Sequence, residues 1–239
     1  MIETSHDLPG VPGAVNFRDL GGLRIDAGVI RPGRLMRAGE LSSLGPAGRA
    51  ALAELDLHTV IDLRQPRERE QHPDDLDGLR ITVLERPLLA ELPEDRPRDL
   101  FDLYRAMIDG RGEALANVVK DLAVPGALPA LLHCMAGKDR TGLVTALILG
   151  SFDASDEVIV SDYHFSEREI QGETWKRLRE HARSAGMSEQ VLAVGRGAPR
   201  TLIERVMAYL REHHGGPAEY LRSHGATDEE LGALRAALI

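Results

Sequence analysis

The only cysteine of the chain lies in the run HCMAGKDRTG, His133 to Gly142, with Lys138, Asp139 and Arg140 all within six residues of it. A lone cysteine is usually a small buried hydrophobe, and such residues do not keep this company. Gly137 gives the backbone freedom to curve. The N–H groups of Met135, Ala136, Gly137, Lys138 and Asp139 can then line a concave anion site. A helix starting near Asp139 or Arg140 adds positive potential at the same place. A thiol at the rim of such a site is stabilised as thiolate. If the loop curls, Arg140 returns to face the sulfur, and its planar fork matches two oxygens of one phosphate. The ligand that fits is a tetrahedral dianion, a phosphate monoester.

The chemistry expected of that set is covalent. Thiolate attack gives a phosphocysteine with the alcohol leaving, and water then hydrolyses the intermediate. Charge developing on the equatorial oxygens is met by the loop N–H groups and Arg140. Thr141 follows directly, and its hydroxyl can donate to the departing sulfur. His133 can fix the loop by hydrogen bonds, or be simply a satisfied histidine at a strand end. No metal or cofactor is expected.

Such a loop has to be presented by a strand and closed by a helix. ALPALLHC reads as the strand and DRTGLVTALILGSF as the helix packed against it. HTVIDLR, His58 to Arg64, is a second buried strand, and a third runs from about Leu79 to Glu85. QPREREQHPDDLDG between them is loop or short helix. Helices are expected from about Pro46 to Leu55 and over RDLFDLYRAMIDG and GEALANVVKDLAVPG, the last ending at Pro125-Gly126. VNFRDLGGLRIDAGVIRPGRLMRAGEL supplies one or two edge strands. From about residue 153 onward the chain is mostly helical. Strands separated by helices predict an α/β fold: a central, mostly parallel sheet flanked by helices, with a helical C-terminal third, as one domain over 1–239. Catalytic groups of such sheets lie beyond the carboxyl ends of the strands, where Cys134 falls.

The bulk properties narrow the setting. The chain has 239 residues, 43% hydrophobic and 28% charged, enough for a full core. Its formal net charge of −9 argues against nucleic acid as a partner, so any anion site is a local basic pocket. One cysteine excludes a disulfide framework and zinc sites built on several cysteines. The first residues, MIETSHDLPGVPG, lack a basic region followed by an apolar run, and GLVTALILGSF is too short to span a bilayer. A cytoplasmic protein is expected, with export by a signal-less route left open. Lysine supplies three of the 29 basic residues, which makes Lys138 slightly more informative than a lysine elsewhere.

HCMAGKDRTG resembles the signature loop of the cysteine-dependent protein tyrosine phosphatase superfamily. NFRDLGG (Asn16 to Gly22), RPGRLMRAGEL (Arg31 to Leu41), VIDLRQPRERE (Val60 to Glu70) and YLRSHGATDEELGALRAAL (Tyr220 to Leu238) are similar to its bacterial tyrosine-phosphatase branch. Members of that branch include atypical enzymes acting on phosphotyrosine, phosphoserine/threonine and phosphoinositides. The resemblance implies a protein tyrosine phosphatase-like fold. It makes Cys134 the nucleophile, Arg140 the phosphate-binding arginine, Met135 to Asp139 the rest of the cradle, and Lys138 a contact for a second phosphate. Asp139 is favoured as the acid that protonates the leaving oxygen, with stabilisation of the helix N-terminus an equal reading. Some members carry an aspartate shortly after the second strand. The aligned position here is Leu88, with Glu91, Glu94 and Asp95 as displaced candidates.

Two further segments have supporting parts. In NFRDLGG, Gly21-Gly22 makes a turn that Arg18 and Asp19 are expected to hold by pairing. In VIDLR, Asp62 and Arg64 sit at a strand end, where a buried pair would orient the loop. HARSAG and EHHGG read as solvated faces. The expected partner is a phosphorylated protein or a phosphoinositide, and the sequence is silent on oligomeric state. Two other classes compete: a non-catalytic phospho-ligand binding module, and a cysteine-dependent sulfurtransferase. Arsenate reduction through an internal disulfide is excluded by the missing second cysteine.

Overall fold

A computed structural model describes residues 10–26, 28–89, 99–184 and 197–239, together with 189, 192 and 195. Among the described residues, seven strands are β1 (Arg18–Asp19), β2 (Arg24–Ile25), β3 (Gly28–Val29), β4 (Leu35–Ala38), β5 (Thr59–Asp62), β6 (Thr82–Glu85) and β7 (Ala130–His133). The helices are α1 (Gly45–Glu54), α2 (Pro66–Gln71), α3 (Leu100–Gly110), α4 (Gly112–Ala123), α5 (Asp139–Ser151), α6 (Asp156–Glu169), α7 (Gly172–Ser184), α8 (Arg200–His214), α9 (Pro217–Ser223) and α10 (Asp228–Leu238).

The main sheet has the order β1-β4-β7-β5-β6, with β4, β7, β5 and β6 parallel and only β1 antiparallel. This is the expected α/β sheet. The β-branched Thr59, Val60 and Ile61 and the apolar Ala130, Leu131 and Leu132 put β5 and β7 in its buried middle. The register is what matters for the site: Ala38, His133 and Asp62 lie side by side. The residues just beyond these three therefore gather at one edge of the sheet.

The N-terminal expectation needs correction. The segment holds four short strands, and β4 lies inside the sheet rather than at its edge. It can be interior because the guanidinium of Arg37, fully buried there, is neutralised by Asp162 on α6. The third strand begins at Thr82 rather than Leu79, and α4 stops at Ala123, ahead of the expected Pro125.

α5 is buried on every side from Arg140 to Leu149, so it fills the centre of the molecule instead of lying on its surface. One apolar cluster joins the sheet through Leu132 to α5, to Met107 and Leu122 of α3 and α4, and to Leu210, Leu221 and Leu234 of α8, α9 and α10. Each such side chain contributes about 1.5–3 kcal/mol when fully buried, and this packing fixes α5 and hence the loop before it. No helix among the described residues is long and apolar enough to cross a membrane.

Candidate active site

Cys134 follows β7 and lies at the carboxyl edge of the sheet, 2% exposed. The path of the next residues is set by where their carbonyls go. Met135 O accepts from the Glu40 amide at 2.9 Å, and Ala136 O accepts from Asn16 Nδ2 at 3.1 Å. Gly137 O accepts from Asn16 Nδ2 at 3.0 Å and from the Arg37 guanidinium at 2.8 Å. In a trans peptide each C=O points opposite to the following N–H. With these carbonyls tied outward, the N–H groups of Ala136, Gly137 and Lys138 face the concave side. Gly137 has φ +64°, and a Cβ on it would lie 2.3 Å from the Ala38 carbonyl, so only glycine fits the turn.

The anchors of those carbonyls are themselves locked. Asn16 Oδ1 accepts from Arg18 at 2.6 Å, and Arg18 Nε donates to Asp162 at 2.8 Å. Asp162 also pairs with Arg37. Burial and the neighbouring Arg37 lower the pKa of Arg18 to about 10 despite Asp162. Burial alone would raise the Asp162 pKa, but Arg18 and Arg37 outweigh it and hold the carboxylate below its ordinary range. Arg18 therefore does not clasp the glycine turn with Asp19. It reaches α6, while Asp19 holds the turn by accepting from the amides of Gly21 at 2.9 Å and Gly33 at 2.6 Å. Arg18 thus supports the loop through Asn16.

Arg140, in the first turn of α5, returns toward the cysteine as expected and is gripped by a residue the sequence reading missed. Its two terminal nitrogens donate to the two oxygens of Glu68 at 2.6 and 2.8 Å. Both side chains are at most 5% exposed. Burial disfavours the charge on Arg140, but Glu68 and then Cys134 outweigh that and raise its pKa above the ordinary arginine value. Burial likewise opposes the charge on Glu68, and Arg140 more than reverses it. Glu68 also accepts from the Gln65 amide at 2.7 Å, as the N3 residue of α2. The order Gln65-Pro66-Arg67-Glu68 is a legible helix start. Nothing local announces that the same carboxylate reaches Arg140.

Asp62 and Arg64 form the expected buried pair at 2.8 Å, and Arg64 binds Asp74 at 2.9 Å as well. His133 lies beside them, its Nε2 3.3 Å from Asp74 and 3.7 Å from Asp62. Neither ring nitrogen makes a hydrogen bond of good geometry among the described residues, so His133 does not tie the loop directly. Thr141 is fully buried, and its hydroxyl likewise has no partner among the described residues, the Cys134 sulfur included.

Asp139 faces the same cleft as Cys134 and Arg140, a space of ≈ 640 Å³ counted out to its open mouth. Its carboxylate lies 3.2 Å from the Tyr104 hydroxyl and 3.5 Å from Lys138 Nζ. Burial, then Tyr163 and Asp139, push the Tyr104 pKa well up, so its hydroxyl keeps its proton near Asp139. The Lys138 ammonium also donates to the carbonyls of Gly195 and Gly197, at 2.5 and 2.6 Å. Leu88 is fully buried in the core and serves packing. Glu91, Glu94 and Asp95 lie outside the described residues. The walls of the cleft are largely apolar, built by Leu89, Leu100, Leu103, Trp175, Leu178 and Leu192, with Arg179 as a charged residue among them. Of HARSAG the described part is mixed: Ala182 is buried and His181 bonds Glu40 at 2.7 Å, while Arg183 and Ser184 are exposed as expected. EHHGG is mostly exposed, as expected.

Comparison with known proteins meets this geometry from the other side. Over 189 residues the chain is 36% identical to the triple specificity protein phosphatase PtpB of Mycobacterium tuberculosis, covering 64% of this chain and 67% of that one. It is 29% identical over 215 residues to a tyrosine-protein phosphatase of Nostoc commune, covering 85% and 73% respectively. The core catalytic domain of the phosphatase SIW14 from S. cerevisiae overlays at a TM-score of 0.43, with 16% identity over 83% of this chain and 94% of that one, too loose a likeness to carry weight. The profile of the tyrosine phosphatase family matches residues 9–239. With that match spanning nearly the whole length, the chain belongs to the tyrosine phosphatase family.

Proposed function

We propose that the enzyme hydrolyses aryl phosphate monoesters, phosphotyrosine in proteins foremost, through a phosphocysteine on Cys134. The observation that carries this reading is the meeting of Cys134, Asp139 and Arg140 in one cleft whose walls are largely apolar. The phosphate sits on the N–H groups of the loop and the fork of Arg140. The Cys134 sulfur forms a bond to phosphorus as the ester P–O bond breaks, and Asp139 gives its proton to the leaving oxygen. Water then attacks phosphorus, Asp139 takes the water's proton, and the S–P bond breaks to release phosphate and the thiolate. The six apolar wall residues suit an aromatic ring better than a short serine side chain.

The leaving-group dependence tests the role of Asp139. Asp139→Asn is expected to lower kcat by about 10²–10⁴-fold on alkyl or unactivated phenyl phosphates. An activated nitrophenyl ester, which departs without a proton, should lose far less. Equal losses on both would make Asp139 a structural residue.

A broader substrate range has a specific motive in PtpB, whose name records triple specificity. Lys138 is the residue that would meet a second phosphate, but it must first leave the carbonyls of Gly195 and Gly197. A panel of phosphotyrosine peptide, phosphoserine peptide and a phosphoinositide is expected to rank the tyrosine peptide first in kcat/KM. A phosphoinositide ranked above it, with that advantage lost in Lys138→Met, would replace the aryl reading with a polyphosphate one.

A further inference from the structure

We infer that Glu40, His72 and His181 form a binding site for a divalent metal ion of zinc type, which ties α7 to the body of the enzyme. The three residues come from separate elements: Glu40 just beyond β4, His72 at the end of α2 and His181 on α7. One donor atom from each lies within 4.8 Å of the others. His181 Nδ1 is 2.7 Å from Glu40 Oε1, and the two imidazoles stack with centroids 3.9 Å apart and planes at 17°. Two imidazoles and one carboxylate are a donor set that zinc accepts, with a fourth position left to water. Donors around a tetrahedral zinc are about 3.3 Å apart, so modest rotation of the imidazoles closes the site.

An independent observation points to a cation. Glu40 is fully buried, and its Oε2 has no hydrogen-bond partner among the described residues. A buried carboxylate oxygen left unpaired is costly, and a metal ion would satisfy it. The neighbouring set Asp62, Asp74 and His133 differs on this point, because the Arg64 guanidinium already binds both of its carboxylates, at 2.8 and 2.9 Å. The single cysteine argues only against sites built on sulfur. This one needs none.

The position gives the metal a role. α7 also carries Trp175 and Leu178, which wall the cleft above Cys134. Pinning His181 to Glu40 and His72 therefore holds that wall in place over the nucleophile. The metal takes no part in the phosphoryl transfer, so this inference stands apart from the proposed substrate and mechanism.

The test uses the full chain carrying Cys134→Ser, so that no thiolate competes for metal. Cobalt(II), followed by its visible absorption, is expected to bind at one equivalent with tetrahedral intensity and to be displaced by zinc. The expected zinc Kd is at or below about 1 μM, with Tm raised by about 5 °C at hundredfold excess over Kd. Trp175 is the only tryptophan and reports on α7 directly. Its quenching by acrylamide should fall when zinc binds. His72→Asn and His181→Asn, both at partly exposed positions, should each weaken binding by at least about 100-fold and abolish the Trp175 response. One-equivalent binding that survives both substitutions together, or no saturable binding below about 1 mM, overturns the site. Binding at the site without any change in Trp175 overturns the tie to α7.

Discussion

Cys134→Ser is expected to lower kcat on an aryl phosphate by at least about 10⁴-fold, the scale set by removing a covalent nucleophile. Binding of inorganic phosphate should survive. The two outcomes separate because the anion site does not depend on sulfur. The loop carbonyls are held outward by Glu40, Asn16 and Arg37, and the Arg140 fork is held by Glu68. A serine hydroxyl is almost the same size as the thiol but does not ionise near neutral pH, so it leaves the donors in place and deletes the attacking anion. The cysteine belongs to the main apolar cluster, and a change this small should cost little stability. Kinetics on the aryl ester and calorimetry with phosphate check both halves. Near-normal turnover by the serine variant would sink the phosphocysteine mechanism. Loss of phosphate binding with the fold intact would mean that the sulfur helps shape the loop.

The parts of this site that were legible in the sequence are the local ones. The apolar strand into Cys134, the glycine of the turn and the helix beginning at Asp139 are written in ten consecutive residues, and the structure has them at those positions. Local propensity and hydrophobic patterning also place most helices to within a few residues, because each helix buries a stripe whose period the sequence displays. What sequence reasoning missed is long-range pairing between charges. Glu68 meets Arg140 across 72 residues and Asn16 meets Gly137 across 121. In a chain this rich in arginine and carboxylates, no spacing rule says which partners will meet. Lys138 shows the same gap in another form: its position fixed its charge but not its direction, which depends on the carbonyls of Gly195 and Gly197. The misplaced pair in NFRDLGG has the same cause. Arg18 and Asp19 are neighbours in sequence, yet successive residues of a strand point to opposite faces, so Arg18 reaches α6 and Asp19 the turn.

The pairing of Glu68 with Arg140 leads to the second large effect, which is best read as a double-mutant cycle. Arg140→Lys replaces a planar fork with a point charge and loses the two-oxygen geometry on both sides, toward Glu68 and toward phosphate. About 10³-fold in kcat is expected, in the range seen for removal of a positioned cation or oxyanion donor. Glu68→Gln keeps the shape but removes the charge that holds the fork and compensates it in a buried place. Breaking such a pair from one side costs about 3–5 kcal/mol of stability, and kcat should fall by about 10–100-fold because the guanidinium is no longer aimed. If Glu68 acts through Arg140, the double variant should be hardly slower than Arg140→Lys alone, since the second change removes the support of a fork already lost. Fully additive losses in kcat would show that Glu68 serves only the start of α2, where it caps the Gln65 amide. Thermal denaturation of the same four proteins separates the readouts: stability can fall in every variant carrying Glu68→Gln, but only action through Arg140 makes the kinetic losses non-additive.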